Sequence, residues 1–93
     1  MSVLLANYRV RDFDAFKTVF DDFEAVRSAY GVTGYQVLRD VDDPTKVVVM
    51  IAFPSTGAAR DFTSEPRRRD ALARAGVVAS SDAILEQIDR RPD

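Results

Sequence analysis

The sequence predicts a single α+β domain of ferredoxin-like order, β-α-β-β-α-β, with a four-stranded antiparallel sheet and helices on one face. Three observations predict it. A run of β-formers from Val3 to Val10 gives way after Asp12 to apolar residues at three- and four-residue steps. Two strand-like segments, Gly34 to Arg39 and Lys46 to Phe53, flank an Asp-Pro turn. A second helical stretch and a final alternating segment complete the pattern. With 93 residues there is room for one core, assigned to residues 1–89, with 90–93 as a tail.

The first strand ends at Arg11-Asp12, and Asp12 is a good helix N-cap. Phe13, Phe16, Val19, Phe20, Phe23, Val26 and Tyr30 then mark the apolar side of one long helix, which Gly31 stops. Asp14, Lys17, Asp21, Asp22 and Arg27 are expected on its water-facing side. Strands two and three form a hairpin across Asp40 to Thr45, where Pro44 presets φ and the aspartates bond local backbone. Asp40, Asp42 and Asp43 lack the Gly and terminal Glu of an EF-hand and read as turn chemistry rather than a metal loop. Pro54-Ser55 opens the second helical region, with Ala58, Ala59 and Phe62 on one face. Pro66 then begins a second piece that Gly76 closes. Arg67, Arg68, Arg69 and Arg74 are interrupted by acids and read as a solvated helix face. The alternation from Ser81 to Asp89 predicts strand four.

Composition narrows the chemistry. Thirteen Lys+Arg against fifteen Asp+Glu leave a formal net charge of −2, so global basicity does not point to nucleic acid. Without Cys there is no disulfide framework, thiolate metal site or thiol nucleophile, and without His the commonest ligand and general base is missing. No metal and no cofactor are expected. The apolar run Val3 to Ala6 is far shorter than a signal or membrane-spanning segment, so a soluble, cytoplasmic protein without a membrane partner is expected.

Strand three carries the expectation of a homodimer. Val47-Val48-Val49-Met50-Ile51-Ala52-Phe53 is apolar at every position, and successive strand residues point to opposite faces. Both sheet faces therefore need cover, and two helical regions in so short a chain supply it for one. A second copy of the sheet is the economical partner for the other.

The chain resembles the dimeric α+β barrel superfamily, in particular its antibiotic-biosynthesis-monooxygenase-like group, over almost its whole length. The likeness rests on Tyr8 to Lys17, on Arg39-Asp-Val-Asp-Asp-Pro44 followed by Val47 to Ile51, and on Phe53 to Phe62 leading to Ala71 and Ala75-Gly76-Val77. It implies a dimer enclosing pockets for a small apolar or aromatic molecule. The group includes cofactor-free monooxygenases of polyketide quinols, haem-degrading oxygenases and cyclase or isomerase members. Catalytic members of the first two branches use an Asn on the first strand, and Asn7 stands at that place. Where they use a Trp on the second helix this chain has Phe62, and where the haem branch has a His it has a residue near Leu72. Phe62 keeps an aromatic wall but lacks the indole donor, and haem ligation by His is excluded.

Asn7 is accordingly the candidate catalytic residue. Its amide would hydrogen-bond a substrate carbonyl or oxyanion and stabilise a carbanion facing O₂; the alternative is a bond to local backbone near a sheet edge. Substrate-binding candidates are Phe62, Tyr35, Arg39, Phe16 and Phe20. Tyr35 could donate to or stack on an aromatic ligand and Arg39 could neutralise an enolate or carboxylate, while the phenylalanines form either an aromatic slot or simply the core. Alternation separates Asn7 and Arg9 from Tyr8. The expected activity is a cofactor-free monooxygenase on a phenolic or polyketide-type substrate. The alternatives are a non-catalytic ligand-binding or structural dimer, and a cyclase or isomerase, for which Glu86 is the obvious in-strand carboxylate.

Overall fold

The computed structural model describes residues 1–91. In chain order the elements are β1 (Ser2–Val10), α1 (Phe13–Asp22), α2 (Glu24–Ala29), β2 (Gly34–Arg39), β3 (Lys46–Phe53), α3 (Thr56–Thr63), α4 (Pro66–Arg74) and β4 (Val77–Glu86). The strands form one antiparallel sheet in the order β2-β3-β1-β4, the ferredoxin-like arrangement. Of the tail, residues 92 and 93 lie outside the described residues. Among the described residues, no helix is long and apolar enough to cross a membrane.

The local rules hold at most boundaries. Asp12 accepts the Ala15 N–H at 2.9 Å and Ser55 accepts the Ala58 N–H at 3.1 Å, so both helical regions start on side-chain caps. Pro66 occupies the first turn of α4, where a missing N–H costs nothing. Gly31 and Gly76 take φ values of +79° and +77°, which end α2 and α4 and which a side chain would oppose. The acidic turn closes on itself: Asp40 accepts the backbone N–H groups of Asp42 and Asp43, and Asp43 accepts both the N–H and hydroxyl of Thr45.

Two boundaries differ from expectation. The single helix divides at Phe23, whose N–H reaches the carbonyls of both Val19 and Phe20, so the first piece tightens and a second begins. Strand four begins at Val77 and ends at Glu86, four residues earlier at its start and three at its end than the alternation predicts. The nine residues of β1 need an antiparallel partner along their whole length, and this recruits Ser80 and Ser81, which pair with Tyr8 and Asn7. A register shift between Arg9 and Val10 lets Val10 pair with Val77.

Burial follows strand parity. Leu4, Ala6, Tyr8 and Val10 of β1 and Val47, Val49, Ile51 and Phe53 of β3 are buried beneath the helices, together with Phe16, Ala59, Phe62 and Ala75. Val3, Leu5, Val48, Met50 and Ala52, on the opposite face, are only half-buried. Leu38 and Leu85 flank them at 45% exposure each. Helices thus cover one face of the sheet, and the other presents an apolar surface.

Candidate functional site

Parity divides the sequence-predicted residues between two concavities. Asn7 sits on the open face, opposite Val48 on β3 and Ser81 on β4. It is exposed and lines a hollow of about 650 Å³ with Arg9, Leu38, Lys46 and Ser81 among its neighbours. Phe62, Phe16 and Phe20 lie across the sheet, under the helices, where they line a cavity of about 40 Å³. The site expected from the sequence, with Asn7 polarising a ligand that Phe62 walls, is therefore not one site in a single chain, because adjacent strand residues face opposite ways.

Tyr35 and Arg39 belong to the helix side of β2, the edge strand. Tyr35 meets the Phe20 ring edge-on at 5.1 Å between centroids but is 47% exposed. The Arg39 guanidinium lies over the Phe13 ring at 4.5 Å and also reaches the rim of the open hollow. Phe16 and Phe62 are core residues. Phe62 packs against Phe53, Tyr30 and Phe23 with centroid separations of 5.5, 5.6 and 6.3 Å. Glu86 ends β4 opposite Ser2, away from either concavity.

Under the helices, three polar side chains converge on the aromatic cavity: Tyr8, Arg68 and Arg27. Arg68, expected on a solvated face, turns inward. Its guanidinium donates to the Tyr8 hydroxyl at 3.1 Å and to Asp82 of β4 at 2.9 Å, and lies 5.7 Å from the Phe62 ring centre. Burial pushes the Tyr8 hydroxyl above its ordinary value, and the neighbouring Arg68 charge opposes that shift. Tyr8 is therefore a neutral, oriented donor at one corner of the cavity.

Arg27, also expected to face water, is 3% exposed. Its guanidinium stacks 3.8 Å from the centre of the Phe20 ring, lies 5.2 Å from that of Tyr35 and donates to the Phe20 carbonyl. Burial lowers its pKa below the ordinary arginine value, and the nearby Tyr35, Glu24 and Asp21 oppose that shift. Both arginines had a sequence signal that their charge concealed. Arg27 follows Phe20 by seven residues and Phe23 by four, and Arg68 precedes Ala71 by three and Ala75 by seven, so each lies on an apolar stripe. Asp82 shares the helix face because it sits directly opposite Ala6.

The fold and the cavity define a class: a ferredoxin-like α+β domain with a small, aromatic-walled and cationic hollow between helices and sheet. The family model for antibiotic biosynthesis monooxygenases matches residues 1–74, and the chain belongs to that family. Among solved structures it is similar to SnoaB, a cofactor-independent oxygenase from Streptomyces nogalater. The TM-score is 0.83 at 16% identity, over 99% of this chain and 97% of that one. Proteins assigned by name to the antibiotic biosynthesis monooxygenases are also similar. That of Nitrosomonas europaea has a TM-score of 0.75 at 19% identity over 96% and 100% of the two chains. That of Caulobacter crescentus has 0.76 at 20% over 95% and 90%. At these identities the likeness is one of fold. Among curated proteins none matches the sequence.

Proposed function

We propose that this chain is a cofactor-independent monooxygenase that binds a phenolic or polyketide-type aromatic substrate between its helices and sheet. The observation that carries the proposal is the convergence of a neutral Tyr8 hydroxyl and a half-buried Arg68 guanidinium on a cavity walled by Phe16, Phe20 and Phe62. Such a site is apolar with a few convergent polar groups, the usual composition of a small-molecule pocket. A substrate carbonyl or phenolic oxygen placed at the Tyr8–Arg68 corner would receive hydrogen bonds that strengthen as it becomes an enolate or phenolate. The electron-rich anion would pass electrons to O₂, the oxidant; one oxygen atom would enter the ring as a carbonyl and the other leave as water. Cofactor independence is also the description of the Streptomyces nogalater oxygenase with the same fold.

The cavity of about 40 Å³ holds only about three waters. An aromatic substrate therefore requires Val19 and Leu72, half-buried at its lining, to move aside.

Oxygen uptake with anthrone as probe tests the assignment. Tyr8→Phe and Arg68→Met should each lower the rate by about a hundredfold or more, the usual weight of one oxyanion donor. Leu72→Trp, which adds bulk at the cavity lining, should abolish it. Unchanged rates in all three would overturn the assignment. The second reading places catalysis at Asn7, and the observation favouring it is that this amide is exposed and lines a hollow of about 650 Å³. On that reading Asn7→Ala alone should remove activity.

We propose in addition that a second copy covers the open sheet face, because Leu5, Val48 and Met50 with Leu38 and Leu85 otherwise leave an apolar patch in water. Light scattering should return twice the chain mass at micromolar concentration; the monomer mass would refute the dimer.

A further inference from the structure

We infer that the helix–sheet cavity is selective for planar aromatic anions, and that Arg27 is the group that recognises the negative charge. The inference rests on the proposed small-molecule site and adds the class of ligand it admits.

A fully buried arginine is rare unless a carboxylate accompanies it. Arg27 is 3% exposed, yet among the described residues no Asp or Glu oxygen lies within the 4.0 Å of an ion pair. Its surroundings satisfy it only in part. One N–H donates to the Phe20 carbonyl, and the flat face of the guanidinium rests on the rings of Phe20 and Tyr35. Cation–π contact offsets part of the desolvation but uses no hydrogen-bond donors. A guanidinium carries five N–H donors in a planar fork, so several remain for a ligand.

The location of this charge determines what it can select. Arg27 lines the same cavity as Phe62, Phe16, Tyr8 and Arg68. Phe20 at once stacks on the guanidinium and walls the cavity, so a ring lying against Phe20 would bring a carboxylate or ionised phenolic oxygen on its edge toward the unpartnered N–H groups. Arg68 differs in that its charge is already paired with Asp82, and the same nitrogen, Nη2, donates to both Asp82 and Tyr8. The two arginines therefore divide the work: Arg68, paired with Asp82, orients Tyr8, and Arg27, without an ion-pair partner among the described residues, is the cation left to meet a ligand's negative charge. A neutral ligand of the same shape would fill the cavity and leave Arg27 unpaired, which is how a buried polar group produces discrimination.

Benzoate and benzamide, matched in shape and differing in charge, are the probes, titrated against the ¹⁵N-labelled full chain by NMR. Benzoate should bind wild type at least tenfold more tightly than benzamide. In Arg27→Gln the ratio should fall to within about twofold, through loss of benzoate affinity with benzamide unchanged, and Arg27→Lys should restore part of the preference. Equal binding of the two by wild type, or a preference that survives Arg27→Gln, would overturn the inference and leave the cavity standing. Failure of both to bind would overturn the cavity itself, and the inference with it. Should Arg27→Gln not fold, the Arg27 Nε–Hε resonance of wild type decides: it should shift with benzoate and not with benzamide, and a stationary resonance would refute recognition by Arg27.

Discussion

Replacing Arg68 by Met keeps most of the aliphatic stem and removes the group that organises the polar corner of the cavity. Two hydrogen bonds are lost, one of 3.1 Å to the Tyr8 hydroxyl and one of 2.9 Å to Asp82. A hydrogen bond to a charged group contributes about 1.5–3 kcal/mol when shielded from water. The Tyr8 bond belongs near the lower end, about 1.5 kcal/mol, because the acceptor is a neutral hydroxyl on a residue only 8% exposed. The Asp82 side chain is 31% exposed, so solvent screens that pair to about 0.5–1 kcal/mol. Together they predict a loss of about 2–2.5 kcal/mol. For a domain of this size that is a fall of about 8–20 °C in thermal midpoint.

The partners separate the two contributions. Asp82→Asn should cost about 0.5–1 kcal/mol and Tyr8→Phe about 1–1.5 kcal/mol. A Tyr8→Phe/Arg68→Met double-mutant cycle should return a coupling of about 1–1.5 kcal/mol, since the residues touch. Urea titrations followed by circular dichroism measure all four variants. A loss below about 0.5 kcal/mol for Arg68→Met, the range of ordinary surface substitutions, would refute the inward-facing Arg68, and so would zero coupling.

Three further predictions follow from single interactions. Burial raises the folded-state pKa of Tyr8 above the unfolded value of 10.0, so the folded chain holds the proton longer; stability from this group is full below pH 10 and declines as pH rises toward the folded value. Tyr8→Phe should remove that alkaline decline, seen as a flatter dependence of midpoint on pH above 10, and an unchanged slope would exclude Tyr8 as its source. Glu65, the cap of α4, is held below its usual value first by the Arg67 side chain and then by the Arg67 backbone N–H. Its contribution is present above about pH 4.5 and lost as pH falls through the folded value, so Glu65→Gln should show a smaller drop in midpoint between pH 5 and 3 than wild type. Asp12→Ala deletes the side-chain cap of α1 and should cost about 1 kcal/mol, or about 4–8 °C in midpoint; loss of no more than 1 °C would show that the cap is redundant.

What is local in this protein was legible in its sequence. Asp12, Ser55, Pro66, Gly31 and Gly76 act within a few residues of themselves, and β2 and β3 occupy Gly34–Arg39 and Lys46–Phe53, as the β-former runs and the Asp-Pro turn require. The unbroken apolar run of β3 likewise foretold a sheet with two apolar faces, because strand parity needs no tertiary information. Strand four lay beyond that reach, since its start is determined by the length of β1 and by the bulge at Arg9 and Val10 rather than by its own serine-rich residues.

The site divides along the same line. The sequence determined that Asn7 and Tyr8 point to opposite faces and that phenylalanines fill the helical stripe, but only the tertiary structure decided which face the helices cover. That choice puts Asn7 on the open side and leaves Tyr8 beneath them. It also turns two arginines inward against the preference of their charge. Spacing along a helix sets the direction of a side chain, whereas the cost of burying its charge depends on partners distant in the chain: Asp82, fourteen residues from Arg68, and the rings of Phe20 and Tyr35 around Arg27. Those partners exist only once the sheet has closed against its helices, so the polar chemistry of the cavity is a property of the fold.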